Sequence, residues 1–245
     1  MDAGAGPAGG PPQPAVFLDK DGTLVEDVPY NVDPARLRFT PNALEGLRLM
    51  ASHGFKLVVV TNQPGVAMGL FGRADLARLE TALVAMLRNE GITLSGFYAC
   101  THAPSNRPGG GCLCRKPAPG LLRQAALAHR IDLAQSWMVG DILNDVEAGR
   151  RAGCKTVLMD VGNETEWRVS PLRTPDLRCA DLLEAARAIV AARSTPITLH
   201  ATAPGLPTSD AAKGPIAPDN NDAPAANRFW SHWSDRWLAL RSSPL

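Results

Sequence analysis

No apolar run in this 245-residue sequence approaches the roughly 18 residues that a membrane-spanning helix needs. A surplus of charge is also missing. Lys and Arg number 25 against 24 Asp and Glu, a net charge of +1, which leaves no broad basic footprint for nucleic acid. Nor does an aromatic-basic stripe run through the body of the chain. Residues 1–14 are rich in Gly, Ala and Pro but carry neither the basic nor the apolar segment of a signal peptide; they read as a disordered lead-in. There is no internal repeat. Cysteine is sparse, five in all, and three of the five fall within 15 residues together with a histidine, which is metal spacing rather than a disulfide framework. A cytoplasmic location is the expectation.

What is present is an alternation of short apolar runs and amphipathic stretches. Residues 15–18, 55–60, 97–99, 136–139 and 155–159 read as strands. Residues 42–53, 75–89, 119–129, 144–152 and 181–193 read as helices, with Thr40-Pro41 before the first and Gly54 and Gly91 after the first two. Strands alternating with helices over 15–193 predict an α/β fold, a Rossmann-like parallel sheet with helices on both faces. Ligands of such sheets sit beyond the carboxyl ends of the strands. Residues 194–226 read as a disordered linker rich in Pro, Ala, Thr, Asp and Asn. Residues 227–241 place Trp230, Trp233 and Trp237 at helical spacing. This amphipathic helix either docks back on the body or engages a protein partner. Its two Arg between Phe229 and Arg241, with no Lys, weaken a membrane-surface reading.

Chemistry-bearing residues follow the strands. Asp19-Lys20-Asp21-Gly22-Thr23 sets two carboxylates two residues apart, which strand periodicity directs to one side. A divalent cation is their natural companion, with one acid as nucleophile and the other as general acid/base. The same pattern occurs in calcium loops and plain turns, but Thr23 stands where a calcium loop has Asp or Asn, and Glu26 comes too early. Thr61 ends a strand, where its hydroxyl can meet a phosphoryl oxygen with backbone N–H groups from Asn62 onward assisting; taken alone it is an ordinary turn residue. Cys100, His102, Cys112 and Cys114 supply the donors of a closed, structural Zn²⁺ site, since four protein ligands leave no open position. Arg115 and Lys116 follow at once; with Pro117 as the first helical residue, Lys116 is placed to neutralise a phosphate, or else is one of a solvated basic pair. Asp141 follows a strand as a third metal acid, and Asp145 is either its support or a helix-start acid. Cys154 and Cys179 read as core cysteines.

With these pieces in order, residues 15–193 resemble the haloacid dehalogenase (HAD) superfamily phosphatases. Finer motifs resemble the heptose-bisphosphate and histidinol-phosphate phosphatase subgroup: Val60-Thr61-Asn62-Gln63-Pro64-Gly65, the Cys-x-His and Cys-x-Cys loop over 100–114, and Cys114-Arg115-Lys116-Pro117. The resemblance implies no large cap domain and a Mg²⁺-dependent phosphatase acting on a small sugar phosphate. The first expectation is the 7-phosphate of D-glycero-D-manno-heptose 1,7-bisphosphate; histidinol phosphate or another small phosphomonoester is the alternative. Residue by residue, it implies that Asp19 forms an aspartyl-phosphate and Asp21 serves as acid and then base. Asp19, the backbone carbonyl of Asp21, and Asp141 would hold Mg²⁺, and Thr61, Asn62, Arg115 and Lys116 would bind substrate. The chain departs from the pattern at Met68, where the family often has Arg, and at Ile142, where Lys is found. The Trp-rich tail lies outside the pattern, and with these departures it supports a different reading, a zinc-ordered binding module without turnover.

Overall fold

The computed structural model describes residues 10–105 and 111–194. The expected 194–226 linker, beyond its first residue, and the 227–241 helix lie outside them, as do residues 1–9 of the lead-in and 106–110 of the cysteine loop. The element order is β1 (Ala15–Leu18), α1 (Ala43–Ser52), β2 (Lys56–Asn62), α2 (Arg73–Asn89), β3 (Gly96–Cys100), α3 (Gly120–His129), β4 (Trp137–Gly140), α4 (Leu143–Ala152), β5 (Lys155–Met159), β6 (Leu177–Cys179) and α5 (Leu182–Ser194). All strands are parallel, in the order β3-β2-β1-β4-β5-β6.

The strands are apolar throughout because both faces of the sheet are covered. In β1, Val16 and Leu18 face a core built with Leu47 and Met50 of α1, Leu79, Leu83 and Leu87 of α2, and Ala185 and Ile189 of α5. Ala15 and Phe17 face the opposite core, with Leu122 and Ala125 of α3 and Ala148 of α4. The strand period of two sorts successive residues to opposite sides. Leucines spaced by four on α2 form one stripe, and burying each contributes about 1.5–3 kcal/mol. α1 and α5 approach closely at Gly46, where a Cβ would stand 2.5 Å from the Leu182 carbonyl oxygen.

The topology creates the site. From β1 the chain steps outward through β2 and β3, then returns to place β4 on the other side of β1. The order in which strands are added reverses there, and parallel strands bring all carboxyl ends to one edge, opening a crevice between the ends of β1 and β4.

Three local features differ from the sequence reading. β2 extends through Thr61 and Asn62 because these pair with Ala99 and Cys100 of β3. β6 was not expected; three residues are too few to show a period. Pro117 is not the first residue of a helix. Ala118 N–H donates to the Arg115 carbonyl (2.7 Å) and Gly120 N–H to that of Leu113 (2.9 Å), so the chain turns there and α3 begins at Gly120. Cys154 and Cys179 are buried in the two cores, as expected. Among the described residues no helix is long and apolar enough to cross a membrane.

Candidate active site

Asp19 follows β1 directly, and its N–H donates to the Val139 carbonyl of β4 (2.9 Å), which seats it at the crevice. β1 ends at Leu18, however, so strand alternation does not orient Asp21. The chain turns instead: Gly22 adopts φ +78°, and its N–H donates to the Val25 carbonyl at 2.8 Å. Glycine is required twice over at that position. The left-handed backbone disfavours other residues, and a Cβ would lie 2.1 Å from Asp141 Oδ2.

Lys116 organises the acids. Its Nζ donates to Asp19 Oδ1 (2.5 Å) and to the Val60 carbonyl (2.9 Å), and it pairs with Asp145 Oδ1 at 2.7 Å. The Asp145 contact is an ion pair without hydrogen-bond alignment. Lys116 and Asp145 are both fully enclosed. Burial opposes the lysine charge, but the Asp145 and Asp19 carboxylates outweigh it and raise its pKa. Asp145 also meets the Ile142 N–H at the start of α4 (3.4 Å), the position of a helix-start acid, while its partner in the site is Lys116.

Asp141, at the end of β4, accepts from Thr23 Oγ1 (3.3 Å) and Asn163 Nδ2 (2.8 Å). Carboxylate oxygens of Asp19, Asp141 and Asp145 lie within 4.8 Å of one another. Burial, with the neighbouring charges of Asp19 and Asp145, pushes Asp141 up to about 8. Burial likewise lifts Asp145 to about 6 despite Lys116. Three acids this close, facing one lysine, are short of positive charge, and that donor set fits a divalent cation bound by oxygen.

The Asp21 carboxylate stands outside that trio. Lys20 Nζ donates to Oδ1, and Gln63 Nε2 donates to Oδ2 at 2.9 Å. Burial raises its pKa against the pull of Lys20. Thr61, buried in β2, accepts from the same Gln63 amide at 3.0 Å. The Asn62 carboxamide is engaged at both ends by Lys116, donating to its carbonyl and accepting from its N–H, each at 3.1 Å. Arg115 is half-buried beside the cysteine cluster and Tyr30, and burial lowers its pKa; its Nη1 makes no hydrogen bond in the described structure.

Cys100, His102, Cys112 and Cys114 converge. Cys114 Sγ lies 3.4 Å from Cys100 Sγ, 3.2 Å from Cys112 Sγ and 3.2 Å from His102 Nδ1. Cys100 Sγ lies 3.6 Å from both Cys112 Sγ and His102 Nδ1. A tetrahedron with metal–sulfur bonds of about 2.3 Å has edges of about 3.8 Å, so the donors stand close to the required spacing. Burial pushes the Cys100 thiol up to about 12; a thiolate there therefore calls for a cation.

Sequence reasoning missed Lys20, Gln63 and Asn163 as parts of the site, and the pairing of Asp145 with Lys116. Gln63 lies in the quoted loop motif, two residues after Thr61, which was the available signal. Asn163 lies between β5 and β6, where the sequence shows no period.

A family profile described as HAD-hydrolase-like matches residues 113–185. A curated relative from Helicobacter pylori is 38% identical over 173 residues, spanning 69% of this chain and 94% of its own length. The chain belongs to the HAD-like phosphatases, which are phosphoric monoester hydrolases. Within that family, the H. pylori relative is D-glycero-beta-D-manno-heptose-1,7-bisphosphate 7-phosphatase. The Escherichia coli K12 protein of the same name is 36% identical over 171 residues, 65% of this chain and 90% of that one. The crystal structure of D,D-heptose 1,7-bisphosphate phosphatase from B. bronchiseptica, complexed with magnesium and phosphate, matches with a TM-score of 0.61 at 29% identity, covering 73% of this chain and 99% of that one.

Proposed function

We propose that this phosphatase hydrolyses a sugar phosphate monoester, the 7-phosphate of D-glycero-D-manno-heptose 1,7-bisphosphate, through an aspartyl-phosphate on Asp19. The observation that carries the reading is the buried Lys116 ammonium bonded to Asp19, two residues after the last cysteine of the Cys/His cluster. Similarity to the heptose-bisphosphate phosphatases supports the substrate.

Asp19 attacks phosphorus, forming an O–P bond as the ester P–O bond breaks, and Asp21 gives its proton to the departing alkoxide. Water then attacks the aspartyl-phosphate while Asp21 takes the water's proton; the Asp19–phosphorus bond breaks and inorganic phosphate leaves. The Lys116 ammonium and the Thr61 hydroxyl stabilise charge on the transferring oxygens. Arg115 holds the rest of the substrate. Asp19 and Asp141, with the backbone carbonyl of Asp21, would hold Mg²⁺, which supplies charge neutralisation of the phosphoryl group. Asp145 acts through Lys116. Cys100, His102, Cys112 and Cys114 would hold a structural Zn²⁺.

The test is phosphate release by purified protein from heptose 1,7-bisphosphate and from histidinol phosphate, with and without Mg²⁺. Mg²⁺-dependent turnover with a higher kcat/KM on the bisphosphate is expected. Preference for histidinol phosphate would reassign the substrate, with Met68 (half-exposed, its Sδ 3.9 Å from the Tyr30 hydroxyl) and Ile142 as the first residues to examine.

Stability is expected to depend on the metals. Asp141 and Asp145 hold protons in the folded state well above the unfolded carboxylate pKa of about 3.9, with folded values of about 8 and about 6. The folded state therefore binds more protons than the unfolded state between those limits, and stability falls as pH rises. Protein stripped of Mg²⁺ but retaining zinc should melt lower at about pH 8 than at about pH 5. Added Mg²⁺ should remove that difference; a melting temperature indifferent to both would contradict the clustered-acid account. Cys112→Ser should lower melting temperature and raise KM together, because the loop that loses its metal also aims Arg115 and Lys116. Unchanged zinc content and kinetics in that variant would separate the cluster from substrate binding.

A further inference from the structure

We propose that Gln63 is a positioning residue for the acid/base carboxylate of Asp21, holding it in fixed relation to the Thr61 hydroxyl. The proposal rests on the mechanism above, in which Asp21 serves as acid and then base. Asp21 needs outside support because it sits on the turn made by Gly22, beyond the end of β1. Its two oxygens are held by different donors: Lys20 on Oδ1 and Gln63 on Oδ2. A carboxylate only accepts hydrogen bonds, so the nitrogen end of the Gln63 amide must face it. That NH₂ has two hydrogens. One goes to Asp21 and the other to Thr61 Oγ1. Thr61 thus accepts from Gln63, and its own O–H is left to donate to a phosphoryl oxygen. Each Asp21 oxygen retains a lone pair for the reacting proton.

Gln63 is itself anchored. Only 4% of it is exposed. Its N–H donates to the carbonyl of Cys100 at 2.7 Å, where the Cys/His cluster begins, and the adjacent Asn62 clasps the backbone of Lys116, where that segment ends. The cluster and the acid/base group are therefore linked through one residue, whose backbone N–H reaches Cys100 and whose side chain reaches Asp21. An enclosed amide is costly unless its donors are used, and here both are spent on residues of the site.

The experiment uses the full chain with Mg²⁺ and zinc bound. Gln63→Met keeps the volume and removes both donors; Gln63→Glu keeps the shape and sets an acceptor against Asp21. An aryl phosphate with a good leaving group serves as probe, because its phenolate departs without a proton and only the water-attack step then needs Asp21. Turnover, KM, melting temperature and the fraction of enzyme trapped as phosphoenzyme after acid quench are read together. In Gln63→Met, kcat should fall about 100-fold, the scale of a small misplacement of a reacting group. KM should fall together with kcat, because kcat/KM reports the attack by Asp19, which needs no proton for this leaving group, and the phosphoenzyme fraction should rise because water is poorly activated. Gln63→Glu should be no better. Wild-type partitioning in either variant, or a lowered melting temperature with no gain in phosphoenzyme, would overturn the positioning role. An Asp19→Asn protein that still turns over would instead overturn the mechanism on which the proposal rests, so the two failures are distinct.

Discussion

Asp19→Asn should abolish turnover while leaving the protein folded. The substitution changes one oxygen for nitrogen, so the volume at the end of β1 is kept, but an amide cannot form the acyl phosphate. Removing a nucleophile of this kind costs at least about 10⁴-fold in kcat. Folding is expected to survive because Lys116 keeps two of its three partners, Asp145 at 2.7 Å and the Val60 carbonyl at 2.9 Å. The loss of one negative charge also relieves repulsion among Asp19, Asp141 and Asp145. Phosphate release, a melting curve and mass spectrometry of acid-quenched protein together check this. Residual turnover at the wild-type level, or a phosphoenzyme still formed in the variant, would remove Asp19 from the nucleophilic role.

The second large effect is expected at Lys116. Lys116→Met keeps most of the side-chain length but takes away the charge that faces Asp19 and Asp145. Removing one partner of a buried ion pair costs about 3–5 kcal/mol, because the other is left uncompensated. The carboxylates left behind will bind protons more tightly, and the folded state then gains protons relative to the unfolded state. The destabilisation should consequently be larger at high pH than at low pH. Mg²⁺ should recover part of the stability by supplying positive charge to the same acids. It should not recover turnover, because the phosphoryl group loses its cation. Denaturant unfolding with and without Mg²⁺ at two pH values measures the first part and phosphate release the second. A variant as stable as wild type in metal-free buffer at high pH would show that Lys116 does not hold the acids together.

These two outcomes differ in what they probe. The Asp19 substitution removes chemistry from an intact site. The Lys116 substitution removes the charge around which the site is assembled, so structure and catalysis fall together, and only the metal dependence separates them.

Much of this was legible in the order of residues along the chain. Runs such as Val58-Val59-Val60 are apolar on both faces, which only a doubly covered sheet explains, and the acids and hydroxyls that interrupt such runs mark the strand ends where ligands bind. Cys100, His102, Cys112 and Cys114 pointed to a metal-binding cluster, and the fold brings their donor atoms together. Local chemistry of that kind needs no knowledge of the neighbours. The tertiary structure alone decided the rest. Strand order places β4 against β1, and only that adjacency brings Asp141 to Asp19. Lys116 and Asp145, 29 positions apart, become partners because α3 and α4 cover the same face. Gln63 and Asn163 resemble any other loop amide in the sequence, since a carboxamide acquires a role only from the group it faces. Residue types determined which chemistry was available; the packing of the sheet determined which groups meet, because hydrogen bonds and ion pairs act over a few ångströms and the fold, not the spacing along the chain, sets those distances.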